Sequence, residues 1–345
     1  MTTDFTEYKR LADEAAIGAV ECAEGIPEDF RRILLYAVSD GGKRVRPLLC
    51  MLGAEFAGGK KEDALPFAVA IELIHSYSLV HDDLPCMDDD DERRGKPSVH
   101  KAFGEGAAVL AGDALLNLAY ERLFSECARM ASEKDNAACA NAAGENANEA
   151  DARTANEKEN TTYSNMAVVN TAAHTASEKI NNAIRAAKII ARSAGASGMI
   201  KGQVFDVGYA ADAANGKTAR ETALRHGFGN DARAFVIETS RLKTSELLSA
   251  AVMSGAAAAG AGDAELAALK EYADNLGLAF QLVDDVFDSG GKNDTEMSYA
   301  RAFGVDVARL AAKKYTAAAI TALYDYGTRA ESLIEFANLL LKRAH

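Results

Sequence analysis

The side chains best suited to chemistry crowd into one run, HSYSLVHDDLPCMDDDDERRG, at residues 75–95. His75, Ser78 and Asp82 are spaced i, i+3 and i+7, which places them on one face of an apolar helix. Pro85 must stop or bend that helix, and Asp88, Asp89, Asp90 and Asp91 follow in the turn. Carboxylates packed this closely repel one another unless cations sit between them. Hard oxygen donors of this kind suit magnesium, which takes one or two carboxylates and completes its shell with phosphate oxygens and water. Arg93 and Arg94 come directly afterwards, and guanidinium groups grip phosphate with two parallel hydrogen bonds.

A second acidic cluster lies in FQLVDDVFD, residues 280–288. Gln281, Asp284, Asp285 and Asp288 share one helical stripe, while Phe280, Leu282, Val283, Val286 and Phe287 cover the rest. Buried carboxylates without partners would cost several kcal/mol each, so this stripe also calls for cations. Two such helices facing each other make a carboxylate-lined mouth.

Basic residues stand in complementary places. In SDGGKRVRPLLC, Lys43, Arg44 and Arg46 follow a flexible Gly-Gly pair and open a helix, offering charged donors and backbone N–H groups to a phosphate. The Walker spacing is absent, so this is not a P-loop. Lys243 and Thr244 open another apolar helix in RLKTSELLSAA, and Gln203 and Asp206 share a face in KGQVFDV. Singly, these four are ordinary polar residues; their value depends on where the chain brings them.

Long helices must do the positioning. All five prolines, Pro27, Pro47, Pro66, Pro85 and Pro97, fall in the first third, alanine is abundant, and alternating β-branched runs are nearly absent. The segments PFAVAIELIHSYSLVHDDL, GAAVLAGDALLNLAYERLFSECARM and YADNLGLAFQLVDDVFD are too apolar for surface helices and read as core helices with a polar seam. The predicted fold is all-α, one large helical bundle around a central cavity, in a single domain over 1–345. An alanine- and asparagine-rich insertion at about 131–182 has too few large apolar residues to pack and is expected to be a mobile surface loop or a weak alanine-rich helix. The stretch GYAADAANGKTARETALRHGFGNDARA reads as another connection.

A net charge of −13 argues against nucleic acid or an anionic membrane as partner. No run of about 18 apolar residues predicts a membrane span. The start lacks a signal-peptide pattern, and five scattered cysteines without a C-x-x-C pair point to reduced thiols in a cytoplasm.

Taken in order, GGKRVRP, the run from His75 to His100, AGDALL, GQVFD, KT and FQLVDDVFD resemble the motifs of the trans-isoprenyl diphosphate synthases, closest to the bacterial farnesyl and geranylgeranyl enzymes. The resemblance spans roughly Ile33 to Met130 and Ala186 to Gly304, and it implies the isoprenoid synthase fold. It implies that Asp82, Asp88 and Asp284 ligate magnesium, three ions with the diphosphate, and that Asp83, Asp285 and Asp288 belong to the same catalytic aspartate motifs. Arg93, Lys243, Thr244 and Gln203 would hold an allylic diphosphate, with Asp206 supporting that end. Lys43, Arg46, His75 and Arg94 would hold isopentenyl diphosphate. The implied reaction is ionisation, condensation and proton loss. Tyr77 and Ser78, one turn before Asp82, would limit chain length, and an aromatic at 77 implies a C15 farnesyl product, with C20 geranylgeranyl as the alternative. The resemblance further implies a homodimer.

One departure stands out. The loop after Asp288 is short, and Glu296 occupies the place where the resemblance expects a phosphate-binding lysine; Lys292 is the nearest substitute. An anion there weakens diphosphate binding. A weakly active or non-catalytic subunit is therefore a competing reading. A terpene cyclase fits less well, because both acidic clusters are of the D-D type.

Overall fold

The computed structural model describes residues 3–39, 42–149, 177–288 and 298–342, with the helical backbone alone described for 133–149. The chain runs through α1 (Phe5–Glu21), α2 (Glu28–Val38), α3 (Val45–Phe56) and α4 (Leu65–Asp82). A two-strand hairpin follows, β1 (Glu92–Arg93) with β2 (Lys96–Pro97), and then α5 (Val99–Phe103) and α6 (Glu105–Glu149). After α7 (177–194) come α8 (Met199–Ala214), α9 (Ala219–Arg225) and α10 (Ala232–Ser240). A π-helical turn, Arg241–Ser245, leads into α11 (Glu246–Ala258). The chain closes with α12 (Asp263–Asp288), α13 (Tyr299–Phe303), α14 (Val305–Ala322), a 3-10 segment Tyr324–Ala330, and α15 (Glu331–Lys342). The protein is all-α, as its composition predicts.

The central helices are those whose sequences are largely apolar apart from one polar seam. Pro66 sits in the first turn of α4, where its missing N–H costs nothing, and the helix ends at Asp82, before Pro85 can enter it. Between these ends Phe67, Ile71, Leu73 and Ile74 are fully buried, each worth roughly 1.5–3 kcal/mol. That anchorage fixes the helix end that carries Asp82. α3 and α11 cross with their backbones in contact: a Cβ on Gly53 would lie 2.1 Å from the Val252 carbonyl oxygen, and one on Gly255 would lie 1.8 Å from that of Cys50. α12 is tied to α15 by the Tyr272 hydroxyl, which donates to the Leu333 carbonyl at 2.7 Å.

Two expectations change. The stretch expected as a connection after Gly208 holds the end of α8, the short helix α9 and the start of α10. A capping box of Thr218 and Glu221 opens α9, and buried Asp212 gathers Lys217, Arg225 and Thr222 around it. Secondly, α6 is not wholly internal: Leu110 and Phe124 are 60% and 70% exposed in the isolated chain, and Val109 shares that exposure. The proposed insertion is helical at both ends, to residue 149 and from 177, and its centre lies outside the described residues. Among the described residues no helix is long and apolar enough to cross a membrane, and Cys22, Cys50, Cys86 and Cys127 are free thiols.

Candidate active site

The end of α4 folds back on itself. The Asp88 amide donates to the Asp82 carbonyl at 2.9 Å and the Asp89 amide to that of Leu84 at 3.1 Å, which turns the acidic run against the helix end. α8 approaches from the other side, and the Gln203 amide donates to the Asp82 carboxylate. The π turn adds Lys243, whose ammonium donates to Asp206 at 2.5 Å. Burial, reinforced by the Asp88 and Asp206 carboxylates, pushes Asp82 up to about 6 against the pull of Lys243. Burial also raises Asp88. Burial pulls the Lys243 ammonium down, but Asp206 and Asp82 outweigh it and hold it above the ordinary lysine value. The Gln203 Oε1 atom is buried and has no partner.

The cationic side chains line a neighbouring cavity of about 700 Å³. Lys43, Arg46, His75, Arg93 and Arg94 meet there with Thr244, Gln281 and Asp284 on the opposing wall. Burial lowers Arg46 to about 10, and its Nε has no partner. Burial, then the Arg46 and Arg94 charges, holds His75 well below the usual histidine range, so its ring is neutral. Lys43 lies 5.4 Å above the Phe280 ring. Arg94 is carried on the β1–β2 hairpin, where Arg94 and Gly95 take left-handed backbone conformations. Its guanidinium passes so close to Gly42 that a Cβ there would lie 2.7 Å from a terminal nitrogen.

A smaller cavity of about 130 Å³, lined by Ser78, Asp82, Met199, Gln203 and Lys243, shares Arg46, His75, Leu79 and Thr244 with the larger one. Two compartments therefore adjoin: a smaller one in which Asp82 meets Gln203 and Lys243, and a larger one lined by five cations, Lys43, Arg44, Arg46, Arg93 and Arg94, with Glu72, Asp284 and the neutral His75.

Several residues singled out from the sequence have other partners. Arg93 donates to Asp83, which is buried, and to Asp90 at 3.2 Å, so this pair braces the hairpin against α4. Asp285 is 6% exposed; it accepts from Gln281 at 3.0 Å and from the Tyr299 amide at 2.7 Å, tying α12 to the start of α13. Tyr77 lines neither cavity; its ring packs edge-on to His81 at 5.8 Å, and His81 in turn reaches the Val109 carbonyl of α6. The Asp288 side chain, Lys292 and Glu296 lie outside the described residues. Arg44, which the sequence does not distinguish from its basic neighbours, is 3% exposed and bonded to Asp13 at 2.6 Å and Glu72 at 2.5 Å. Asp89, Asp91 and His100 also come within metal-binding distance of one another, but the Lys101 ammonium already stands 2.7 Å from Asp91 and 4.0 Å from Asp89.

An all-α bundle with two acidic helix ends opening on a cation-lined cavity defines a class of prenyl-transferring proteins, and comparison with known proteins agrees. The polyprenyl synthetase family model matches residues 27–210 and 168–338, and the chain belongs to that family. It is 31% identical over 358 residues to the chloroplastic heterodimeric geranylgeranyl pyrophosphate synthase large subunit 1 of Arabidopsis thaliana, covering 99% of this chain and 80% of that one. A dimethylallyltranstransferase of Fischerella ambigua is 31% identical over 354 residues, covering 99% and 84%. Among solved structures, an FPP/GFPP synthase from Zymomonas mobilis superposes with a TM-score of 0.69 at 29% identity, over 97% of this chain and 98% of that one. A geranyltransferase from Legionella pneumophila gives 0.72 at 26% identity, over 99% and 96%. The chain is thus a trans-prenyltransferase.

Proposed function

We propose that the protein condenses isopentenyl diphosphate with dimethylallyl or geranyl diphosphate, using magnesium, and releases farnesyl diphosphate. The observation that carries this reading is the pair of adjoining cavities, the smaller lined by Asp82, Gln203 and Lys243 and the larger by cations facing Asp284, which share Arg46, His75, Leu79 and Thr244.

The residues fit magnesium. Asp82, Asp88 and Asp206 gather around one ammonium, Lys243; burial, with the neighbouring carboxylates adding to it, raises Asp82 to about 6, and a divalent cation would favour its charged form. Asp82, Asp88 and, across the cavity, Asp284 offer hard oxygen donors. Held by these residues, magnesium would supply positive charge to the departing diphosphate.

The chain's own groups do the rest. Lys243, Arg93, Gln203 and Thr244 hold the allylic diphosphate, and Asp206 orients Lys243; Asp83 holds Arg93 by the same logic. The allylic C–O bond breaks with its electron pair leaving on the diphosphate, and the fixed cations stabilise that charge without reorganising. Lys43, Arg46, His75 and Arg94 hold isopentenyl diphosphate so that its double bond faces the allylic carbon. Neutral His75 donates a hydrogen bond without adding charge. The new C–C bond forms, and the proton lost from the adduct passes to the released diphosphate.

For product length, the aromatic Tyr77 one turn before Asp82 supports C15 by the family resemblance, although its ring lies against His81 and outside both cavities. C20 is the alternative, supported by the geranylgeranyl synthases among the relatives. The exposed Leu110–Phe124 face of α6 supports a second copy of this chain as partner. Unpaired thiols support a reducing compartment, with the cytoplasm as the reading from sequence.

Purified protein incubated with geranyl diphosphate and labelled isopentenyl diphosphate, with magnesium or chelator, tests the reading. Magnesium-dependent C15 product supports it, and C20 product corrects its length. Absence of elongation in a folded protein favours the non-catalytic subunit.

A further inference from the structure

We propose that Gly202 and Gly277 are positioning residues for the reaction: they clamp the π turn that presents Lys243 and Thr244. The proposal rests on the reading that Lys243 and Thr244 face the allylic diphosphate.

A π turn carries one residue more per turn than an α-helix, so its backbone bulges from the helix axis. At Arg241–Ser245 the bulge is held between two helices. On the α8 side, a Cβ at Gly202 would lie 2.4 Å from the Lys243 nitrogen and 2.8 Å from the Lys243 Cα. On the α12 side, a Cβ at Gly277 would lie 2.4 Å from the Ser245 Oγ and 2.6 Å from the Ser245 Cα. Neither helix could stand where it does with any other residue at these positions.

Each glycine sits just ahead of the side chain that meets the presented residue. Gln203 and Asp206 follow Gly202 on α8, and Asp206 receives the Lys243 ammonium at 2.5 Å. Gln281 follows Gly277 by one turn on α12 and accepts from the Thr244 hydroxyl at 2.9 Å. Close backbone approach therefore sets both polar contacts at once. The Ser245 hydroxyl, pressed against Gly277, is fully buried and has no hydrogen-bond partner, so this contact is made by shape and not by polar attraction. An added methyl on either helix pushes the bulge away and swings Lys243 and Thr244 together off the diphosphate. Misplacement of about an ångström is enough to lower turnover strongly.

The test compares Gly202→Ala and Gly277→Ala with Gly53→Ala, which introduces a similar helix–helix clash at the α3–α11 crossing. Steady-state kinetics are measured separately for the allylic and isopentenyl substrates, alongside Tm. Ser245→Thr presses the α12 contact from the other side with one methyl group and decides the matter if a glycine variant does not fold. The expected result is a rise of about tenfold or more in KM for the allylic diphosphate, with KM for isopentenyl diphosphate little changed. Gly53→Ala is expected to lower Tm alone. Equal changes in both KM values, or a Tm loss with wild-type kinetics as for Gly53→Ala, would reduce the glycines to packing and overturn the proposal. An inactive wild-type chain would instead overturn the underlying functional reading.

Discussion

The Asp88 amide donates to the Asp82 carbonyl across 2.9 Å, which folds the chain back at the end of α4 so that the Asp88 carboxylate acts on that of Asp82. Everything proposed for the metal follows from that fold-back. It places the first acidic side chains on a rigid helix end instead of a loose loop.

Magnesium binding should depend on pH through Asp82. Its folded value near 6 lies above the ordinary 3.8, so between about pH 4 and 6 the folded chain holds a proton that the unfolded chain has released. Without metal, this group's contribution to stability is present at low pH and is lost as pH rises through that window. Magnesium competes with the same proton. The gain in Tm on adding magnesium should therefore be small at pH 5 and full at pH 7.5 in scanning fluorimetry. A gain that does not vary with pH would remove Asp82 from the metal site.

Arg44 and Arg46, two residues apart, should behave in opposite ways. Arg44→Ala leaves Glu72 buried and unpaired, a loss of about 3–5 kcal/mol that thermal unfolding would report. Arg46 has no such partner, and Arg46→Ala should fold normally while raising KM for isopentenyl diphosphate about tenfold or more. Wild-type kinetics in a folded Arg46→Ala protein would remove it from the substrate site.

Tyr77→Ala should lengthen the product from C15 towards C20 by opening the space beside His81. Reversed-phase sizing of the dephosphorylated products reads this directly. An unchanged product would place the chain-length limit at another residue.

The face of α6 that carries Leu110 and Phe124 should bury itself in a dimer. Leu110→Glu with Phe124→Glu would put two charges into that contact, and light scattering should then show monomers where the parent chain forms dimers. Dimers that survive the double substitution would leave this face without its proposed partner.

How much of this the sequence discloses depends on whether local pattern or tertiary contact decides. α4 is readable from end to end, because Pro66 and Pro85 bound a largely apolar run and helical spacing puts His75, Ser78 and Asp82 on one face. By residue type and spacing Lys43, Arg44 and Arg46 are equivalent; the resemblance leaves Arg44 out of the substrate set, and its bonds to distant Asp13 and Glu72 give the physical reason. The π turn leaves no composition signal in RLKTS, since its extra residue is defined by α8 and α12 closing around it. α9 did carry a signal, the Thr218–Glu221 capping box, but the surrounding Gly, Asn and Asp residues outweigh it as turn chemistry. Asp285 repeats the spacing of a metal ligand, yet the Tyr299 amide, fourteen residues later, binds its carboxylate.

The most direct measurement of the central claim is a crystal structure with manganese and a non-ionising thio analogue of geranyl diphosphate, using anomalous scattering to find the metal. The account predicts metal peaks at Asp82 and Asp88 and at Asp284, bridged by the diphosphate, with Lys243 beside it. Metal confined to Asp89, Asp91 and His100, or a diphosphate bound outside the shared cavity, would contradict it.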